Sequence, residues 1–127
     1  MHGTDPERMK NRRFAERLGF ALAGLRLVFA REKSFRSQCW LALSAALATL
    51  ALRPGPLWSA LVALAIALVL ALELANSALE YLLDQLHPER AREIGAAKDS
   101  AAAAVLVASL AAAAVGALML LATLGGS

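Results

Sequence analysis

Cysteine, aromatic residues and charge are all scarce in this chain. Cys39 is the single cysteine among 127 residues, so an intrachain disulfide and a cysteine-based metal site are both excluded. Charged residues make up only 18%, and the aromatics number seven. Apolar residues fill the space, at 59% of the chain, against roughly 45–50% in soluble domains. A soluble domain of this size buries only about two-thirds of its unfolded surface, too little to hide so much apolar side chain from water. The composition therefore argues against a soluble enzyme, a disordered tail and a disulfide scaffold. Neither GxxxxGK[ST] nor GxGxxG is present, so an ATP site here is not of the P-loop or protein-kinase kind. His2 and His87 stand alone, without metal-ligand spacing, and read as loop residues. No apolar core of a signal peptide follows Met1, and no cleaved signal is expected.

What is present is alanine and leucine, 30 and 26 residues respectively. The net charge is +3, and nine of the 13 Lys and Arg residues lie in positions 1–36, ahead of the apolar runs. Basic charge segregated to one end is a membrane pattern, and no nucleic-acid partner is expected. Three stretches carry no charge: Ser37 to Leu52, Pro54 to Leu72 and Ser100 to Ser127, of 16, 19 and 28 residues. A spanning helix needs about 20 apolar residues. The first stretch reaches that length if Phe35 and the flanking arginines snorkel. The second continues in apolar pattern to Leu83, interrupted by two glutamates. Irregular backbone cannot face lipid, so all three are expected as helices, over about 35–52, 54–83 and 98–124.

Arg53-Pro54-Gly55-Pro56 reads as a compact turn between the first two spans. The segment from Asp84 to Asp99 joins the second and third spans and carries Arg90, Arg92 and Lys98. By the positive-inside rule, the N-terminus and the 84–99 segment are cytoplasmic, and the 53–56 turn and C-terminus lie outside. Before the first span, Phe14, Leu18, Leu22, Leu25 and Phe29 recur at helical spacing, with Arg12, Arg13, Glu16, Arg17, Arg26 and Arg31 around them. This predicts an amphipathic helix on the cytoplasmic interface over 13–34, after a tail of 1–12. The plainer alternative is an ordinary bundle helix. The fold class expected is thus an all-α membrane protein of one domain, an amphipathic surface helix plus three transmembrane helices. The alanine-rich third span suits close helix packing, because small residues let backbones approach.

Glu73 and Glu80 are the anomaly. An ionisable group in a membrane span costs roughly 2.5–3.5 kcal/mol and marks function by default. At about 100° per residue, Glu73, Asn76, Ser77, Glu80 and Asp84 project into a sector about 100° wide. The two glutamates are two turns apart, about 10 Å along the axis. That is too far to share a proton or directly ligate one metal together, yet suited to two roles in one elongated site. A hard cation such as Mg²⁺ takes one or two carboxylates plus substrate phosphates. Lys98, at the mouth of the third span, suits phosphate as a point charge. Glu32 adds a further acid between the surface helix and the first span. Three readings follow from charge placement: a membrane-facing phosphate or lipid site, a proton or ion pathway, and glutamates that only join helices by hydrogen bonds.

The stretch Glu73-Leu74-Ala75-Asn76-Ser77-Ala78-Leu79-Glu80, with Asp84 and then Ala97-Lys98-Asp99-Ser100-Ala101-Ala102-Ala103-Ala104-Val105, resembles the signature of the prokaryotic diacylglycerol kinase family, which includes undecaprenol kinases. Glu32-Lys33-Ser34-Phe35-Arg36 and Gly24-Leu25-Arg26 resemble its N-terminal motifs. The resemblance covers roughly residues 13 to 120, in the same order and with three spans.

The resemblance implies a small integral-membrane kinase of the prokaryotic inner membrane, assembled as a homotrimer with active sites between subunits. It implies transfer of the γ-phosphoryl of MgATP to a lipid hydroxyl, with diacylglycerol the first choice of substrate and undecaprenol the alternative. By motif match, Glu73 is the general base and Asn76 supports it. Glu32 and Glu80 hold the Mg²⁺ on the ATP phosphates. Lys98 binds phosphate beside Asp99, and Arg13, Phe20, Glu89 and Arg90 belong to the nucleotide site. The lipid side comprises Arg13, Ser34, Phe35, Arg36, Gln38, Glu73 and Ala102. The chain departs from the pattern at Phe20, where better-known members carry Tyr, at Ala91 in place of a His, and at Gln38 in place of a Glu. The Arg53-Pro54-Gly55-Pro56 turn is similar to that of the undecaprenol kinase branch.

Overall fold

The computed structural model describes residues 6–86 and 92–125. Four helices follow in order: α1 Pro6–Arg31, α2 Lys33–Leu52, α3 Pro56–Leu86 and α4 Arg92–Leu124. The last three are long and apolar enough to cross a membrane. At about 1.5 Å per residue, α2 is about 30 Å long and matches a hydrocarbon core of about 30 Å. By the same rise α3 and α4 reach about 46 and 50 Å, so both overrun that core. The helix bounds differ from the approximate expected spans: α1 starts at Pro6, upstream of position 13, and stops at Arg31, α3 starts at Pro56 and runs past Leu83 to Leu86, and α4 starts at Arg92 rather than 98. The reason is local. Proline is well placed at the first position of a helix, where its missing N–H is not needed, and polar helical turns continue a span without breaking its backbone bonds.

The α2–α3 turn is built by its sequence. Arg53 adopts a left-handed conformation, with φ 50°, and its N–H donates to the Thr49 carbonyl at 3.1 Å. That closes α2 in the manner of a left-handed C-terminal cap. Gly55 follows with φ 103°, a region in which glycine is at ease. Its carbonyl accepts the Ser59 N–H at 3.0 Å and so opens α3, with Pro56 as first helical residue.

Helix α3 is the centre of the bundle. It packs most extensively on α4, next on α2, and lightly on α1. Its buried residues, Val62, Val69, Glu73 and Ser77, recur at intervals of seven, four and four along one face. The chain leaves 9489 Å² accessible, about 1.5 times the roughly 6,400 Å² of a compact soluble protein of this mass. Phe14, Leu18, Leu22, Leu25 and Phe29 of α1 are all exposed, as are Leu64, Leu68, Leu106, Leu110 and Leu121 on the long helices. A surface of this kind needs lipid or further protein against it.

Candidate active site

The site grows from the corner between α1 and α2. Glu32 breaks the helix there, with extended backbone at φ −106° and ψ 109°. It stands where α2 needs an N-terminal cap, yet its carboxylate makes no capping hydrogen bond. The corner is tied by Arg36 instead. Its Nη1 donates to the carbonyls of Phe29 and Ala30 at 2.7 and 2.9 Å, two acceptors that the end of α1 leaves free. Phe35 is buried beneath the corner, at 3% exposure.

Two polar side chains reach from this corner to α3. Ser34 Oγ donates to Glu73 Oε1 at 3.2 Å. The Tyr81 hydroxyl donates to Glu32 Oε2 at 2.9 Å, and the Arg31 guanidinium lies over the Tyr81 ring, 5.7 Å from its centroid. Glu73 is only 5% exposed. It lies 17 residues after Pro56, about 26 Å along α3 by helical rise. If the α2–α3 turn marks one membrane face, Glu73 sits near the other margin of the core. One turn further, Asn76 has a buried Oδ1 without a hydrogen-bond partner, and Ser77 is buried at 3%. Glu80 is half-buried and has no hydrogen bond or ion pair among the described residues.

Lys98 of α4 reaches back to Asp84 of α3, with Nζ 2.6 Å from Oδ1. Asp99 and Ala102 follow on α4, both exposed. Arg13 and Phe20 lie on the exposed surface of α1. Gln38 lines a cavity of about 420 Å³ between α2, α3 and α4, together with Ala45, Thr49, Val62, Val69 and Ser109. Val69 is four residues before Glu73, so the apolar cavity approaches the buried carboxylate along α3. Glu89 and Arg90, like Ala91 and His87, fall outside the described residues.

The family model described as prokaryotic diacylglycerol kinase matches residues 19–120. The chain belongs to the prokaryotic diacylglycerol kinase family. A diacylglycerol kinase of Haemophilus influenzae is 37% identical over 89 residues, covering 70% of this chain and 75% of that protein. A diacylglycerol kinase of Synechocystis is 37% identical over 103 residues, covering 80% of this chain and 59% of its own length. The span shared with the diacylglycerol kinase family includes Glu32, Glu73, Glu80 and Lys98, and leaves Arg13 upstream.

A kinase family implies ATP, and Glu32 and Glu80 are residues of the kind that could hold a divalent cation on its phosphates. Their donors are carboxylate oxygens, the hard ligands that Mg²⁺ prefers, and Glu80 is unpartnered among the described residues. The Glu32 carboxylate makes no capping hydrogen bond to the helix terminus. No group of three or more candidate ligands exists among the described residues. That donor set suits Mg²⁺ held by one or two carboxylates and nucleotide phosphates, not an all-protein cage.

Two members of the cluster were missed as site residues. Tyr81 is the only tyrosine of the chain and sits about 80° from Glu73 around α3, at the edge of the polar stripe. Asp84 was counted in the stripe but not matched to Lys98, because their pairing depends on how α4 returns beside α3.

Proposed function

We propose that this chain is an integral-membrane kinase that transfers the γ-phosphoryl of MgATP to the hydroxyl of diacylglycerol, giving phosphatidic acid and ADP. The observation that carries the proposal is Glu73, a carboxylate buried in an apolar helix and held at one oxygen by Ser34. Family membership supplies the reaction class, and this side chain supplies a base where a membrane lipid can present its hydroxyl.

Glu73 takes the proton of the lipid hydroxyl as the oxygen attacks the γ-phosphorus. The bond to the β-phosphate oxygen breaks, and ADP leaves. Ser34 holds Oε1, which leaves Oε2 to accept the proton, and Asn76 supports it from the next turn. Phosphoryl transfer is mainly positioning and charge neutralisation. Lys98 meets phosphate as a point charge, with Asp99 beside it, and Asp84 keeps the lysine on this side of α4. Glu32 and Glu80 would hold Mg²⁺, which would supply charge neutralisation at the phosphates. Arg13, Phe20, Glu89 and Arg90 complete the nucleotide side. On the lipid side, Phe35 and Arg36 shape the corner, Ala102 offers a small exposed surface, and Gln38 stands at the apolar cavity.

The exposed apolar surface supports a chain held in the bilayer, the family resemblance supports a homotrimer with sites between subunits, and the exposed stripe of α1 supports a helix lying on the interface. Nine Lys and Arg residues ahead of the first span support a cytoplasmic N-terminus and 84–99 segment in the inner membrane of a prokaryote, with the C-terminus outside. Undecaprenol is the second substrate reading, favoured by Gln38 and the 53–56 turn. The experiment that tests the proposal offers purified protein Mg²⁺, γ-labelled ATP and either lipid in parallel. Labelled phosphatidic acid is expected. Label on undecaprenol alone overturns the substrate, and label on neither overturns the kinase.

A further inference from the structure

Glu32 is held in an unusual way for its place in the chain. A polar side chain at a helix N-terminal cap normally accepts a backbone N–H of the first turn. Glu32 makes no such bond. Its Oε2 instead accepts the hydroxyl of Tyr81, 49 residues away on α3, at 2.9 Å. Tyr81 directly follows Glu80, so this bond fastens one acidic residue to the helical turn that carries the other. The tyrosine is itself held: Arg31, next to Glu32 in the chain, places its guanidinium over the ring, 5.7 Å from the centroid. Residues 31 and 32 thus grip one tyrosine through its face and its hydroxyl.

A carboxylate has about four lone-pair sites. One hydroxyl donor occupies one of them, which leaves Glu32 free to ligate while its rotamer is fixed. Without that donor, the flexible side chain turns to water or to the unsatisfied N–H groups at the start of α2. Outer partners that orient a ligand typically matter about 10–100-fold to metal affinity.

We infer that Tyr81 is a positioning residue for the divalent cation: its hydroxyl orients Glu32 beside the turn of Glu80, and Arg31 steadies its ring. The inference rests on the proposal that Glu32 and Glu80 hold the cation.

The test uses full-length protein in nanodiscs, Mn²⁺ as the probe and a non-hydrolysable ATP analogue, with Mn²⁺ binding read by electron paramagnetic resonance. Tyr81→Phe keeps the ring and its contact with Arg31 and removes only the hydroxyl. It is expected to weaken Mn²⁺ binding roughly tenfold, to raise the Mg²⁺ needed for half-maximal turnover in parallel, and to regain wild-type kcat at excess Mg²⁺. The KM for lipid stays as in wild type. Glu32→Gln, measured alongside, tests the ligand itself. If Glu32→Gln loses Mn²⁺ and Tyr81→Phe binds it normally, the role of Tyr81 is overturned and the metal role of Glu32 stands. If Glu32→Gln also binds normally, the metal role of Glu32 fails and the inference falls with it. A lowered midpoint with unchanged Mn²⁺ affinity assigns Tyr81 to packing and likewise overturns the inference.

Discussion

Replacing Glu73 by glutamine separates proton transfer from packing. The two side chains are nearly the same size, and glutamine keeps an oxygen that can accept the Ser34 hydroxyl, now 3.2 Å from Oε1. The position is 5% exposed, so a neutral amide there carries no new charge into the span. Stability is therefore expected to hold. A positioned general base contributes about 10²–10⁴-fold, or about 2.7–5.4 kcal/mol of barrier at about 1.36 kcal/mol per tenfold. Turnover of Glu73→Gln is expected to fall at least about a hundredfold, with nucleotide binding and the thermal midpoint unchanged. Ser34→Ala is the graded companion. It removes one hydrogen bond to the carboxylate and is expected to lower kcat roughly tenfold, or about 1.4 kcal/mol of barrier. The assay is initial-rate transfer of γ-label to extracted lipid, with melting followed in the same nanodiscs. A glutamine variant that keeps more than about a tenth of wild-type turnover refutes Glu73 as the base.

Three further outcomes follow from the geometry. Lys98→Met raises the KM for MgATP but changes stability by no more than about 1 kcal/mol, since the Lys98–Asp84 pair is 37% and 65% exposed at its side chains; a large drop in thermal midpoint with normal KM makes the lysine structural. Arg36→Gln removes the guanidinium from the Phe29 and Ala30 carbonyls and lowers stability by about 1–3 kcal/mol; a normal midpoint with raised lipid KM assigns Arg36 to the lipid. Gly55→Ala forces a side chain into φ 103° and costs about 1–3 kcal/mol, measured as a lower midpoint without change in kcat; an unchanged midpoint contradicts the strain.

Much of this was legible in the sequence, and for identifiable reasons. Charge-free runs between Ser37 and Ser127 announce helices that cross a membrane, because lipid tolerates little else. The polar stripe of α3 follows from helical period alone; that Glu73 and Ser77 on it are buried depends on which face packs against the neighbouring helices. Contacts that depend on the third dimension were not legible. Helical spacing places Tyr81 at the edge of the stripe but says nothing of Glu32, whose approach depends on the bend at the α1–α2 corner. The hydrogen bonds of Arg36 Nη1 to the carbonyl end of α1 depend on the same bend and were not legible either. Helix ends were also misjudged. Charge marks where apolar character stops, but backbone bonding carries α3 on to Leu86 and starts α4 at Arg92.

The central claim is that the buried carboxylate and its neighbours couple ATP to a lipid hydroxyl. The most direct measurement follows ADP formed and lipid labelled in one reaction, with purified protein in nanodiscs containing diacylglycerol and Mg²⁺. One phosphatidic acid is expected for each ADP, and no ADP when the acceptor lipid is left out. ADP released without labelled lipid, or no turnover at all, contradicts it.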